Sequence, residues 1–375
     1  MAKDIYKKLA KHLDNLPGGF PSTKNGVELR ILRRLFTPEE AELALKLTVL
    51  PEEAEAIARR IKLDPDETAK RLEDMARKGL IYRIESEGKP PKYMTLQYVI
   101  GIWEFHVNDL DPELINDMDE YLPTLFDFET WKKAPQLRTI PVDQSIPVEL
   151  EVMPYEKAEE LVKAKEKIAV APCICRRERS MVGEGCDKPL ESCLIFGRGA
   201  DYYVQNGLGR SINQKEALEI LKEADNAGLV FQPGNAQQAG NICCCCGCCC
   251  GVLRTIKRHP QPTSIVSSAF VAVADSSQCD SCGTCLERCQ MEALSLDDEK
   301  VIHNIDRCIG CGLCVSTCPT GALTLERKPE SEQPKVPKNW REALYNLAKE
   351  RGKIGVLSRS VIKAKSKSAR FSTSK

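Results

Sequence analysis

Cysteines separated by two, two and three residues occur twice in this 375-residue chain. The first run is Cys279, Cys282, Cys285 and Cys289, and the second is Cys308, Cys311, Cys314 and Cys318. Each cysteine of the second lies 29 residues after its counterpart, which makes the pair an internal duplication. Thiolates are soft donors suited to iron and zinc. Structural zinc sites typically take their four thiolates in two short pairs. An unbroken run of four with two-residue gaps instead suits an iron–sulfur cube, which needs one thiolate on each of four irons.

The two runs resemble the ligand runs of bacterial two-cluster ferredoxins. The resemblance implies two [4Fe-4S] clusters, one on Cys279, Cys282, Cys285 and Cys318, the other on Cys308, Cys311, Cys314 and Cys289. The crossing has a physical basis: a tight loop wraps three corners of a cube and cannot reach the fourth, so the matching run supplies it. The stretches 293–296 and 322–325, Ala-Leu-Ser-Leu and Ala-Leu-Thr-Leu, read as equivalent short strands after each run. Gly283, Gly310 and Gly312 let backbone come close to the cubes. One departure stands out: Gln290 follows Cys289 where Pro319 follows Cys318. A side-chain donor aimed from Gln290 at its cluster would favour the reduced state and set the two clusters apart.

Eleven of the nineteen cysteines lie outside these runs. Cys173, Cys175, Cys186 and Cys193 fall within 21 residues, and residues 243–250 read Cys-Cys-Cys-Cys-Gly-Cys-Cys-Cys. Four thiols this close in a chain without a secretion signal point to metal. Cys243, Cys246 and Cys249 repeat the two-residue gap of a ferredoxin triad, with a fourth ligand expected from the 173–193 group. These seven cysteines are the candidate ligands of one or more further iron–sulfur clusters. Arg176, Arg177 and Arg179 would offset cluster charge. The remaining thiols of the 243–250 run are open to three roles: neighbours of a cluster, ligands of a second one, or redox-active dithiols.

Composition frames these sites. The 54 basic and 54 acidic residues cancel, so the chain carries no general attraction to nucleic acid or membrane. The longest apolar stretch, Ile265 to Ala274, is half the roughly 20 residues of a spanning helix. The charged N-terminus reads as neither signal peptide nor anchor. An odd cysteine count without such a signal predicts a reducing, cytoplasmic setting. Gly197-Arg198-Gly199 and Gly207-Leu208-Gly209 do not complete a dinucleotide fingerprint. His12, His106, His259 and His303 are scattered.

The elements that position the cysteines predict an α+β chain. Residues 1–133 form a cysteine-free helical region, 134–148 a linker with Pro135, Pro141 and Pro147, 149–262 a cysteine-rich metal-binding domain, 263–328 the two-cluster domain, and 329–375 a C-terminal helix and basic tail. Within 51–100, Pro51 precedes a helix, and Asp64, Pro65 and Glu67 start a second. The runs Leu80–Ile84 and Tyr93–Leu96 then read as a hairpin. This order resembles a winged helix-turn-helix of the MarR-like branch. Its ten basic and ten acidic residues, and the carboxylates of Asp64, Asp66 and Glu67 where phosphates would sit, predict protein contact or self-association rather than nucleic-acid binding. Arg83, Lys89 and Lys92 are the residues that would serve a DNA-binding wing. The motifs APCICRRE, GCDKP and NICCCCGCCCGVLR, with the paired runs, make the chain similar to a broad group of bacterial 4Fe-4S dicluster proteins, which implies cofactor content and architecture. The reading is a cytoplasmic iron–sulfur electron carrier serving a redox protein partner. Its rivals are a redox-sensing transcription regulator and a reductase with substrate at a middle-region cluster.

Overall fold

The computed structural model describes residues 4–356 and 358. Helix accounts for 44% and strand for 16%, and every paired strand is antiparallel, so the architecture is α+β rather than a parallel α/β fold. Two compact units are formed, one from residues up to 127 together with those from 344 on, the other from 128–343.

In the first unit, α1 (Ile5–Asp14), α2 (Val27–Leu35) and α3 (Pro38–Ala44) precede β1 (Glu52–Glu53), α4 (Ala54–Ile61), α5 (Pro65–Arg77) and the hairpin β2 (Tyr82–Ser86) and β3 (Lys89–Met94). The strands pair in the order β1-β3-β2. Helix α5 starts as its residues dictate: the Asp64 carboxylate accepts the backbone N–H groups of Asp66 and Glu67, and Pro65 needs no such partner. Ile57 and Ala58 of α4 and Leu72, Met75 and Ala76 of α5 bury their apolar stripes. Short α6 (Trp103–Phe105) and α7 (Pro112–Leu125) follow. Phe20 meets Tyr98 and Tyr121 edge-on, with centroids 4.8 and 4.9 Å away. Arg83 is buried in ion pairs with Glu73 and Glu85, and Lys92 reaches Glu53 at 3.6 Å. Of the basic C-terminal stretch, Arg351 and Lys353 clasp Asp14 at 2.9 and 2.8 Å; the tail beyond residue 358 lies outside the described residues.

The second unit begins with α8 (Phe128–Lys133) and α9 (Ala158–Lys163). There follow β4 (Ile168–Pro172), α10 (Ile174–Met181), β5 (Glu191–Phe196), α11 (Arg198–Gln205), β6 (Arg210–Ile212), α12 (Gln214–Asn226), β7 (Val230–Pro233), β8 (Asn241–Cys245) and α13 (Gly251–Lys257). Its five-stranded sheet has the order β6-β4-β5-β8-β7, and α11 and α12 pack on it. Ile168, Ala169, Val170 and Ala171 of β4 are all buried, so the sheet is covered on both faces there. The proline-punctuated stretch 134–148 is bonded into this unit. Arg138 and Ile140 donate backbone N–H groups to Pro233 and Phe231 of β7, Thr139 to Ser267, and Val142 to Cys311, at 2.9–3.2 Å. Pro141 falls between the donating residues, and Pro135 and Pro147 lie outside them, so the prolines cost it none of these bonds.

The duplicated runs are framed by β9 (Phe270–Ala274), α14 (Thr284–Arg288), β10 (Leu294–Asp297), β11 (Lys300–His303) and β12 (Leu323–Arg327). The sheet pairs are β10 with β11 and β9 with β12. The two stretches read as strands after each run thus become β10 and β12. Helix α15 (Trp340–Glu350) ends the described elements.

Candidate metal centres

Four sets of thiols gather in the second unit, two in the duplicated region and two in the middle region. In the duplicated region, Cys279, Cys282, Cys285 and Cys318 line one hollow with Val301, Ala322 and Leu323. The second set is Cys308, Cys311, Cys314 and Cys289, where the Cys289 sulfur is an electrostatic neighbour of each of the other three. Each set therefore draws on both runs. The sets differ in exposure: Cys282 is open to solvent, while Cys308 and Cys314 are buried. Burial pushes the Cys311 thiol up to about 12 and raises Cys308 and Cys314 as well, so these sulfurs release their protons to a metal rather than to water. Cys318 goes the other way. Burial opposes the shift, but the Thr320 hydroxyl and the N–H groups of Leu323, Thr320 and Ala322 lower it. Backbone N–H groups also reach Cys279 from Ser281 at 3.4 Å, Cys289 from Ala293 at 3.2 Å and Cys308 from Ala272 at 3.5 Å. Donors aimed at sulfur are what a negatively charged cluster requires of its surroundings. The thiol sets, their N–H donors and the apolar lining fit iron–sulfur cubes.

The middle region holds two distinct sets. Strand β8 alternates, so Cys243 and Cys245 share one face, while Ile242 and Cys244 turn into the core. Cys193 of β5 pairs directly with Cys243 across the sheet, with sulfurs 3.7 Å apart. Cys245 touches Cys243 and Cys250, Cys250 touches Cys175, and Cys175 touches Cys173. Cys173 in turn acts electrostatically on Cys193, which closes a ring of six thiols. Cys173 and Cys250 are the N-cap residues of α10 and α13, so the ring lies where strands hand over to helices. Asn241 donates to Cys243 at 3.5 Å, and buried Gln232 lies 4.0 Å from Cys250.

The other middle set is Cys186, Cys246, Cys248 and Cys249, whose sulfurs all lie within 4.8 Å of one another. The triad spacing 243, 246, 249 therefore does not gather as one group: Cys246 and Cys249 join Cys186, and Cys243 joins the ring. The turn at Gly247 divides them. Arg176 stands between the two sets. It is buried, points Nη1 at Cys246 Sγ from 3.7 Å, bonds Ser192 and the Cys244 carbonyl, and is an electrostatic neighbour of Cys173. Arg179 is turned instead to Glu184 at 3.0 Å.

Cys245, Cys248 and Cys250 were not among the candidates read from spacing. Strand alternation two residues past Cys243 was the signal for Cys245. For Cys250 it was the likeness of Cys250-Gly251-Val252 to Cys173-Ile174-Cys175, each a helix start after a strand.

The Gln290 amide is bonded to backbone and not to a cluster-candidate sulfur. Its Oε1 accepts the Gly247 N–H at 2.8 Å, and its Nε2 donates to the Arg288 carbonyl at 3.2 Å. The donor expected at a cluster sulfur is thus spent on holding the all-cysteine loop. Beside it, Arg288 pairs with Asp225 at 2.7 Å and bonds the carbonyls of Asp225 and Asn226 at the end of α12.

Residues 278–322 match the family of 4Fe-4S dicluster domains, which supports [4Fe-4S] binding by this ferredoxin-type segment. The cysteine-rich region between 186 and 249 offers donors for a further metal group. No curated protein and no solved structure matches the chain. Among the described residues, no helix is long and apolar enough to cross a membrane.

Proposed function

We propose that the protein is an iron–sulfur electron carrier. Two [4Fe-4S] clusters sit on the crossed cysteine sets of the duplicated region, and a further cluster sits on the six-thiol ring of the middle region. A bound cube supplies one-electron transfer at a potential set by its surroundings. The observation that carries this reading is the composition of the sets: each of the two sets in the duplicated region draws thiols from both runs, as two cubes on one scaffold require. The chain's own residues exclude water from one site with Cys308 and Cys314 and leave the other near solvent at Cys282. Electrons from a redox protein partner then enter at the Cys282 side. The buried site faces inward, where Gln290 and Arg288 anchor the ferredoxin segment to the middle region. The first unit, whose helices and β1-β3-β2 sheet follow the winged-helix order, serves as a docking or self-association module. Its wing cation Arg83 is already engaged by carboxylates, which favours protein contact over DNA.

The test is metal content with spectroscopy on anaerobically purified, fully reconstituted protein. More than about eight irons per chain, the amount for two cubes, is expected, with reduced [4Fe-4S] signals in EPR. Cys175→Ser with Cys245→Ser should lower the count and spare the ferredoxin signals. A count fixed at eight would remove the ring from the account, and a protein that binds no iron would remove the carrier itself.

A further inference from the structure

Sulfur spacing separates one thiol set from the rest. Cys186 Sγ lies 3.9 Å from Cys246 Sγ and 3.6 Å from Cys249 Sγ, and Cys248 and Cys249 are 3.8 Å apart. A tetrahedron of thiolates around one ion, with metal–sulfur bonds of about 2.3 Å, has edges of about 3.8 Å. A cube holds its thiolates farther apart, because each sits on its own iron. Among the described residues, this is the one group of three or more potential ligands drawn within 4.8 Å of one another. Neither crossed set of the duplicated region qualifies, nor does the six-thiol ring.

We infer that Cys186, Cys246, Cys248 and Cys249 bind a single tetrahedral metal ion, a zinc or a mononuclear iron, and not a further cube. All four positions are thiolates, so the site is closed and leaves no coordination place for substrate. Four thiolates on a divalent ion leave a charge of about −2, and the surroundings answer it. Arg176 Nη1 stands 3.7 Å from Cys246. The backbone N–H groups of Lys188 and Cys249 bond the Cys186 and Cys246 sulfurs. The ion ties together two stretches that lack regular structure of their own, the 183–190 loop carrying Cys186 and the turn between β8 and α13. That turn is also the one bonded by Gln290, so the ion fixes the surface on which the ferredoxin segment rests.

Full-length protein, purified anaerobically, is compared with its Cys186→Ser, Cys248→Ser and Cys249→Ser variants for zinc, iron and acid-labile sulfide. Each variant should lose one metal ion per chain and no sulfide. Loss of zinc identifies a zinc site, loss of one iron a mononuclear iron site, and both support the inference. Loss of about four irons with matching sulfide, the content of a cube, would overturn it, as would unchanged metal content. Native mass spectrometry of the unmodified holoprotein gives a readout that does not depend on variants folding. A mass exceeding that of the clusters by one sulfide-free ion is expected. A mass accounted for by apoprotein and whole clusters would refute the site.

Discussion

At the scale of single residues, the crossed thiol sets make a pointed prediction. Cys318 shares its hollow with Cys279, Cys282 and Cys285, although 33 residues separate it from the last of these. Cys318→Ala should therefore disable that cluster and leave the set holding Cys308, Cys311 and Cys314 with its signal, while Cys289→Ala should do the reverse. EPR of the two reduced variants, each short of up to about four irons, checks this; damage confined to each cysteine's own run would refute the crossing. Asp143 makes a second prediction, one of pH. Burial raises its carboxyl to about 6 against the partial relief of the N–H groups of Glu159 and Ala158. Because the folded state holds the proton more tightly than the unfolded chain, stability falls as pH rises from about 4 through 6. Keeping this carboxylate charged inside the fold then costs up to about 3 kcal/mol at neutral pH. Asp143→Asn keeps an acceptor oxygen for the Glu159 N–H and removes the charge. It should raise the melting temperature at pH 8, by the equivalent of about 1–2 kcal/mol, and the gain should shrink towards pH 5. Thermal unfolding of both proteins across that range is the measurement, and a constant difference would place the effect elsewhere.

At the scale of elements, the contact that matters is between the all-cysteine turn and the chain after α14. A Cβ at Gly247 would lie 2.3 Å from the Gln290 carbonyl oxygen, a clash with backbone that no rotamer relieves. Gly247→Ala should cost about 1–3 kcal/mol. Gln290→Ala, which leaves the Gly247 N–H without its acceptor, should cost a similar amount, about 1–3 kcal/mol. Each kilocalorie lowers the melting temperature of a unit this size by about 2–4 °C. Because both changes break one contact, the double variant should lose clearly less than the sum of the two. Full additivity in that cycle would show that the two residues act independently. The same turn shows what could be read from the sequence. The duplicated runs were legible because their ligands lie in local loops, where spacing alone sets reach. Helix α5 was legible for the same reason, with Asp64 and Pro65 marking its start. The middle thiols were not sorted by spacing, because a strand, a turn and a helix cap pass through Cys243 to Cys250 in succession. The regular two-residue gap joining Cys243, Cys246 and Cys249 has no meaning across a change from a period of two to a tight turn. The partners of these thiols come from β5, α10 and the 183–190 loop, and long-range pairing, sheet register included, decides which sulfurs meet. Gln290 was legible as a departure from proline, but its role depended on a loop 43 residues away in the chain.

At the scale of the whole molecule, charge favours the proposed carrier over a regulator. A DNA-binding protein gains most of its affinity by neutralising phosphates with free cations, and loses it where carboxylates face the backbone. Here the 54 basic and 54 acidic residues cancel. In the helix–helix–hairpin segment of the first unit, the N-terminus of α5 carries Asp64, Asp66 and Glu67, and the Asp64 carboxylate is already engaged as the helix cap. On the hairpin, Arg83 is buried against Glu73 and Glu85, and Lys92 lies beside Glu53. Freeing Arg83 to meet a phosphate would leave Glu73 half-buried without its main cation, against the hydrogen bonds from Arg83 and Arg77 that hold its carboxyl below the usual range despite burial. With two of its three hairpin cations paired and carboxylates at the start of α5, the segment favours the proposed protein contact over a duplex. Full-length holoprotein, oxidised or reduced, should give no sequence-specific shift with a library of genomic fragments at physiological salt, and its weak binding at low salt should vanish as salt rises. Arg83→Ala should lower the stability of the first unit through the unpaired Glu73 while leaving that DNA result unchanged. A tight, sequence-specific complex abolished by Arg83→Ala would overturn the carrier reading in favour of a redox-sensing regulator.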